Sequence, residues 1–189
     1  MDNSLLTKIK KSPFDSEYAR AKGISRRMLS YYVKNGVLVR LAQGVYALAD
    51  KLGFDFEGII KEKLIQAPQA VIGLKTALKL YDLTEEAPAN IDLMVPESNV
   101  PKKKMDDIKL HSVKDHLFEE GITKIRGIPV TTIERTIVDL LRKKGTPKEG
   151  RTIILEAQKK GIRINFSKLE HYATIFRVKS KFESIMVNL

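Results

Sequence analysis

The sequence of 189 residues predicts an α+β fold built from two parts. Near the N-terminus, short amphipathic segments flank a glycine-containing turn, and a β hairpin follows them at once. From about residue 55 onward, short segments typical of strands alternate with longer segments that have the period of helices. The predicted boundaries are 1–48 for the first part, 49–54 for a linker and 55–189 for the second part.

Three short helices are predicted to open the first part. Apolar residues recur at helical spacing over 5–9, and a second helix over 17–22 ends at Gly23, a residue suited to the left-handed end of a helix. Ser25 can cap a third helix over 26–34. The short link between the second and third helices has the glycine-containing turn of a helix-turn-helix.

A hairpin is predicted directly after the third helix. Two β-rich segments, 37–41 and 45–48, flank Ala42-Gln43-Gly44. The order of helix, helix, glycine turn, helix and hairpin predicts a winged helix-turn-helix, with the hairpin as its wing. Such a domain reads duplex DNA by placing its third helix in the major groove.

The predicted third helix has an apolar face and a basic face. Arginine can grip guanine or a phosphate with two hydrogen bonds, and the N-terminus of a helix favours an anion. Together with two hairpin positions placed for the minor groove or phosphates, the basic face gives the candidate DNA-contacting residues: Ser25, Arg26, Arg27, Ser30, Tyr31, Lys34, Arg40 and Gln43. The alternative is an amphipathic helix with a solvated basic face, but the order of elements favours the DNA reader.

The amino-acid composition also favours a nucleic-acid partner. The 34 Lys and Arg residues outnumber the 23 Asp and Glu residues, which gives a net charge of +11 and favours a polyanionic partner. The absence of cysteine excludes disulfides, thiolate zinc sites and a cysteine nucleophile, and the three histidines match no metal-ligand spacing. No signal peptide or membrane span is readable, so we expect a cytoplasmic protein without a membrane partner.

The second part is predicted to be a mixed α/β domain with a small sheet flanked by helices. Strands are expected at 91–95, 108–113, 122–125 and 128–130, and helices at 55–66, 70–81, 132–143, 148–160, 166–176 and 180–187. No P-loop, nucleophile elbow, zinc-protease motif, Gly-Ser pair of a nucleotidyltransferase or Glu-x-Lys pair of a nuclease occurs. We therefore expect no catalytic site, no metal and no cofactor.

A second basic cluster lies in this part. Nine basic residues between Arg142 and Lys168 oppose only Glu149 and Glu156. The candidates for a second phosphate-contacting face are Arg142, Lys143, Lys144, Lys148, Arg151, Lys159 and Lys160. A solvated helix surface is the other interpretation, and the sequence leaves both open.

Residues 14–29 and 33–46 together resemble the N-terminal domain of AbiEi antitoxins, the transcriptional repressors of bacterial type IV toxin–antitoxin (abortive infection) systems. Segments 72–78 and 128–140 resemble the second domain of that family more loosely. The resemblance implies a repressor that binds repeats in the promoter of its own operon through the third helix and the wing. It also implies a nucleotidyltransferase-like toxin as functional partner, without direct contact.

Two alternatives stay open beside the repressor. The protein could coat DNA without sequence preference, or it could neutralise a toxin by direct contact. One helix and wing cover about one half-site, so we expect cooperative self-association on DNA, with the second domain as a candidate for the contact.

Overall fold

The computed structural model describes residues 3–49, 56–102, 105, 107–187 and 189. The chain forms two compact units, an N-terminal unit, Met1–Pro68, and a C-terminal unit, Gln69–Leu189. The predicted linker lies outside the described residues except for Ala49. Its placement at 49–54 stays a prediction.

The N-terminal unit is a winged helix-turn-helix, as the sequence predicts. It contains a 3-10 helix, Asn3–Lys8, then β1 (Phe14–Asp15), α1 (Ser16–Ala21), α2 (Arg26–Lys34), β2 (Leu38–Ala42), β3 (Val45–Leu48) and α3 (Phe56–Gln66). The three strands form an antiparallel sheet in the order β1-β3-β2. Helix α3 contacts β1 and β3.

The predicted third helix, 26–34, is α2, and its apolar face packs into the core of this unit. Leu29 and Tyr32 are fully buried there, together with Phe14 and Ile24. At the end of α1 the chain turns through Gly23, at φ +84°, and the Ile24 N–H donates to the Ala19 carbonyl at 2.9 Å. This left-handed turn sets the angle at which α2 follows α1.

Backbone hydrogen bonds join the wing to the helices. The Ser16 N–H, at the start of α1, donates to the carbonyl of Gly44 at 2.9 Å. Gly44 lies in the turn between β2 and β3 at φ +79°, where glycine adopts the backbone conformation without strain. The hydroxyl of Ser12 accepts from the Leu48 N–H at 3.0 Å, so the base of the wing is held as well.

The C-terminal unit is a mixed sheet flanked by helices, also as predicted. Its strands are β4 (Val71–Ile72), β5 (Ile91–Pro96), β6 (Ile108–Val113), β7 (Ile122–Ile125) and β8 (Ile128–Thr131). The helices are α4 (Leu74–Leu80), α5 (Asp115–Phe118), α6 (Ile133–Arg142), α7 (Pro147–Lys159), α8 (Phe166–Ile175) and α9 (Lys179–Met186), with a 3-10 turn at Glu97–Asn99. Strand order is β6-β5-β4-β8-β7, with parallel pairs β5·β6 and β4·β8.

The predicted helix 70–81 is shorter than expected. Val71 and Ile72 form β4 instead, which pairs with β5 on one side and β8 on the other, and α4 begins at Leu74. At the junction, a Cβ on Gly73 would lie 2.5 Å from Cγ of Met94 on β5, so the backbone before α4 passes close against that side chain. A two-residue strand in the centre of a sheet is fixed by its partners and leaves no periodic signal of its own.

A buried arginine organises the C-terminal unit. Arg135 on α6 is 1% exposed, and its Nε donates to Oδ2 of Asp139 at 2.7 Å. Its Nη1 donates to the carbonyls of Leu117, at 3.2 Å, and Glu120, and the guanidinium lies 3.9 Å from the ring centroid of Phe176.

Asp139 is equally buried and also accepts from Nη1 of Arg142 at 3.2 Å. Burial raises the pKa of Asp139 above its ordinary value, because desolvation outweighs the two guanidinium partners.

Among the helices that the described residues form, none is long and apolar enough to cross a membrane.

We expect Gly121→Ala to destabilise the protein more than Gly127→Ala. Both glycines have positive φ, +65° and +80°, so both substitutions carry the cost of a left-handed alanine, about 1–2 kcal/mol. A Cβ at position 121 would also lie 2.8 Å from Cβ of Arg135, whereas nothing lies within 4 Å at position 127. Overpacking should add about 1–3 kcal/mol to the loss at 121. Equal urea-unfolding free energies for the two variants would contradict this assignment.

We also expect Arg135→Ala to cost about 3–5 kcal/mol of unfolding free energy, because Asp139 would keep its buried charge without its main partner. The double variant Arg135→Met/Asp139→Leu removes both charges and fills the space, so it should be more stable than Arg135→Ala. Chemical denaturation of both variants measures the difference. A double variant less stable than Arg135→Ala would show that the charges themselves stabilise the fold.

Candidate nucleic-acid interface

Helix α2 begins at a true N-cap. The hydroxyl oxygen of Ser25 accepts from the Met28 N–H at 3.3 Å, and its backbone is extended, as an N-cap requires. Arg26 and Arg27 form the first turn, where the helix dipole is positive. A phosphate at this end would meet backbone amides, a serine hydroxyl and two guanidinium groups.

The structure exposes all eight predicted DNA-contacting residues: Ser25, Arg26, Arg27, Ser30, Tyr31, Lys34, Arg40 and Gln43. The five that lie within α2 span an arc of about 140° at 100° per residue, and Leu29 and Tyr32 lie on the opposite, buried side. From Arg26 to Lys34 the helix rises about 12 Å, which is close to the width of the DNA major groove.

Two of these side chains have contacts within the helix. The Ser30 hydroxyl donates to the Arg26 carbonyl at 3.1 Å, which leaves its oxygen as an acceptor. Tyr31 is 40% exposed and packs edge-on against the buried ring of Tyr32, with centroids 5.8 Å apart. The ring of Tyr31 is therefore held by Tyr32 and lies among the basic residues of this face.

The wing carries the other two. Arg40 lies on β2 opposite Tyr46, and Gln43 lies in the turn. The register shifts between Arg40 and Ala42, so a bulge at Leu41 separates the two predicted contacts.

One basic residue of this region was missed by the sequence reasoning. Arg20, in the last turn of α1, lines a cleft of about 510 Å³ together with Ser25 and Arg26. Glu17 lines the same cleft, so the cleft carries both negative and positive charges. The sequence signal was present, since Arg20 is a basic residue three positions before the turn glycine, but only the packing of α1 beside α2 shows which arginines share the cleft.

The second basic cluster does not form one continuous set of unpaired charges. Arg142 is half-buried against Asp139 and Phe176. Lys159 pairs with Glu156 at 2.6 Å, and Lys160 pairs with Asp82 at 2.8 Å. Lys143, Lys144, Lys148 and Arg151 are exposed near the end of α6 and the start of α7. Whether any of them touches DNA stays a prediction.

The described residues contain no group of three or more His, Asp or Glu side chains that could hold a metal ion. An Asp-x-Lys sequence, which nuclease metal sites also use, does occur at Asp107-Ile108-Lys109, where β6 begins. His111 and Asp92 form a buried polar pair in the sheet, with Nε2 of His111 2.8 Å from Oδ1 of Asp92.

Comparison with known structures finds the same overall fold. A crystal structure of the RV2827C protein from Mycobacterium tuberculosis aligns with a TM-score of 0.56 and 10% sequence identity. The alignment covers 96% of this chain and 78% of the mycobacterial chain. At this identity the likeness shows the fold alone. No curated protein matches the chain.

Comparison with sequence families finds one match in the N-terminal unit. Residues 6–49 match the family described as "Transcriptional regulator, AbiEi antitoxin". The matched segment spans α1, α2, both wing strands and the turns between them, so it contains every predicted DNA-contacting residue. The resemblance predicted from the sequence is therefore confirmed: residues 6–49 are similar to the AbiEi antitoxin family of transcriptional regulators.

Proposed function

We propose that this protein is a sequence-specific transcriptional repressor that acts as the antitoxin of a type IV toxin–antitoxin system and represses its own operon. The observation that carries the proposal is the exposed face of α2 within a winged helix-turn-helix whose sequence matches regulators of the AbiEi type. In this proposal α2 enters the major groove, while Arg40 and Gln43 of the wing contact the minor groove or adjacent phosphates.

The contacts divide by position along α2. Arg26 lies beside the cleft at the helix start and is assigned to a phosphate, with Ser25 and Arg20 as neighbours. Arg27 and Lys34 are assigned to base edges, with Arg27 the stronger candidate for guanine. Tyr31 offers an apolar surface for a thymine methyl group, with its ring held against Tyr32.

Sequence specificity requires more than one copy. A single module covers about one half-site, which gives little selectivity against a genome of competing sites. We propose that two or more molecules bind repeated half-sites cooperatively. A protein that coats DNA through charge alone would bind all duplexes with similar affinity and a steep salt dependence.

We expect Arg26→Ala/Arg27→Ala to weaken binding to the protein's own promoter at moderate salt. If Arg27 reads a base, Arg27→Ala should lose about 1–3 kcal/mol and relax specificity at one position. Arg26→Ala should weaken all sequences alike and reduce the salt slope by about one. Fluorescence anisotropy with promoter and scrambled duplexes measures both effects.

The matched control is Lys61→Ala/Lys179→Ala, which also removes two positive charges, both from ion pairs with glutamates and both outside the predicted DNA-contacting residues. It should bind the promoter nearly as tightly as the wild type. Promoter affinity of the double arginine variant equal to that of this control would show that α2 is not the recognition helix. Equal loss on promoter and scrambled duplexes would favour a protein without sequence preference.

We expect the antitoxin role to depend on DNA binding. When the toxin is expressed from the native operon promoter and the antitoxin from an independent one, the full-length Arg26→Ala/Arg27→Ala variant should restore growth less than the wild type does, because it represses the toxin gene less. Immunoblotting provides the control that both antitoxins reach the same level. Full protection by the variant would separate protection from DNA binding, and co-purification of the toxin with it would establish a direct complex in place of our proposal.

A further inference from the structure

The C-terminal unit contains an open groove of about 690 Å³ that the DNA-binding proposal does not use. It runs between α4, the end of α6 and the first half of α7. Leu78, Leu83, Leu141 and Ile153 line it, and all four are buried members of the main hydrophobic core. The groove therefore has an apolar floor that is part of a folded core.

Four lysines line the same groove: Lys75, Lys143, Lys144 and Lys148. All four are exposed, and none forms an ion pair with a residue that the structure describes. Lys159 and Lys160, at the other end of α7, instead lie 2.6 Å and 2.8 Å from carboxylate oxygens. Four unpaired ammonium groups around one groove form a site for an anion of high charge.

The one acidic residue in the groove is already engaged. The carboxylate of Glu149 accepts from the Thr146 N–H at 2.7 Å and from the Thr146 hydroxyl at 3.1 Å. These bonds form the capping box of α7 and hold the pKa of Glu149 below its ordinary value. Its charge also interacts with that of Lys75, but four lysines against one glutamate leave the groove with a net positive charge.

Lys144 is held in an unfavourable backbone conformation. It follows the end of α6 at φ +77°, in the left-handed position that glycine usually takes after a helix. The Gly145 N–H donates to the Leu140 carbonyl at 2.9 Å and completes this turn.

We propose that this groove binds a nucleoside polyphosphate, with the lysines on the phosphates and the apolar floor against the nucleoside. The volume of the groove lies within the range of about 300–1,000 Å³ that small-molecule sites occupy. A DNA duplex is far too wide to enter it, and a duplex contacting only the rim would leave the apolar floor unused. The phosphate-contacting role predicted for Lys143, Lys144 and Lys148 is thereby assigned to a small ligand.

The test uses the full chain and isothermal titration calorimetry with ATP, GTP, adenosine and inorganic tripolyphosphate. We expect ATP or GTP to bind, and Lys143→Gln/Lys144→Gln/Lys148→Gln to weaken that binding at least tenfold. The matched control, Lys159→Gln/Lys168→Gln/Lys179→Gln, removes three exposed lysines that do not line the groove and should change the affinity less than twofold. Thermal melting of both variants confirms that they are folded.

Several outcomes would overturn the proposal. Absence of nucleotide binding, or equal affinity of the triple groove variant and the wild type, would remove the site. Tripolyphosphate binding as tightly as the nucleotides would show charge without a nucleoside subsite. If the groove variant instead lost affinity only for duplex, the lysines would belong to the DNA interface. Arg26→Ala/Arg27→Ala should leave nucleotide binding intact, so failure of the repressor proposal and failure of this one are distinguishable.

Discussion

The guanidinium of Arg135 is almost completely buried in the C-terminal unit, where groups of the protein surround it. Asp139 supplies the charge one helical turn along α6, the carbonyls of Leu117 and Glu120 accept from Nη1, and Phe176 covers the face of the group. These partners come from α6, the segment around α5, and the end of α8. An arginine buried in this way is tolerated only when all of these elements are in place together, which ties their assembly to one interaction.

In the N-terminal unit, by contrast, the arginines of α2 are exposed to solvent. One side of α2 packs into the core through Leu29 and Tyr32, while the residues of the other side are exposed. If α2 contacts DNA as proposed, stability and recognition lie on separate faces of the same nine-residue helix.

Much of the fold could be predicted because its signals are local. The Ser25 cap, the Gly23 turn and the β-rich wing strands are each contained in a few residues, and α2 and the hairpin were predicted closely. The two-residue strands β1 and β4 were missed, since each exists only through pairing with distant strands. The pairing of Lys160 with Asp82, 78 residues away, was equally beyond local patterns, and so the second basic cluster could be found in the sequence but not sorted into paired and unpaired lysines.

The hydrogen bond from the Ser16 N–H to the Gly44 carbonyl joins the turn of the wing to the start of α1. Because α1 is in turn fixed to α2 through the Gly23 turn, the wing and α2 are held together as one preorganised unit. In the proposed complex, α2 and the wing would lose little conformational entropy on docking, so more of the contact energy would be kept as affinity. A duplex whose groove geometry differs from the spacing of α2 and the wing would fit poorly, so the shape of the DNA would contribute to recognition.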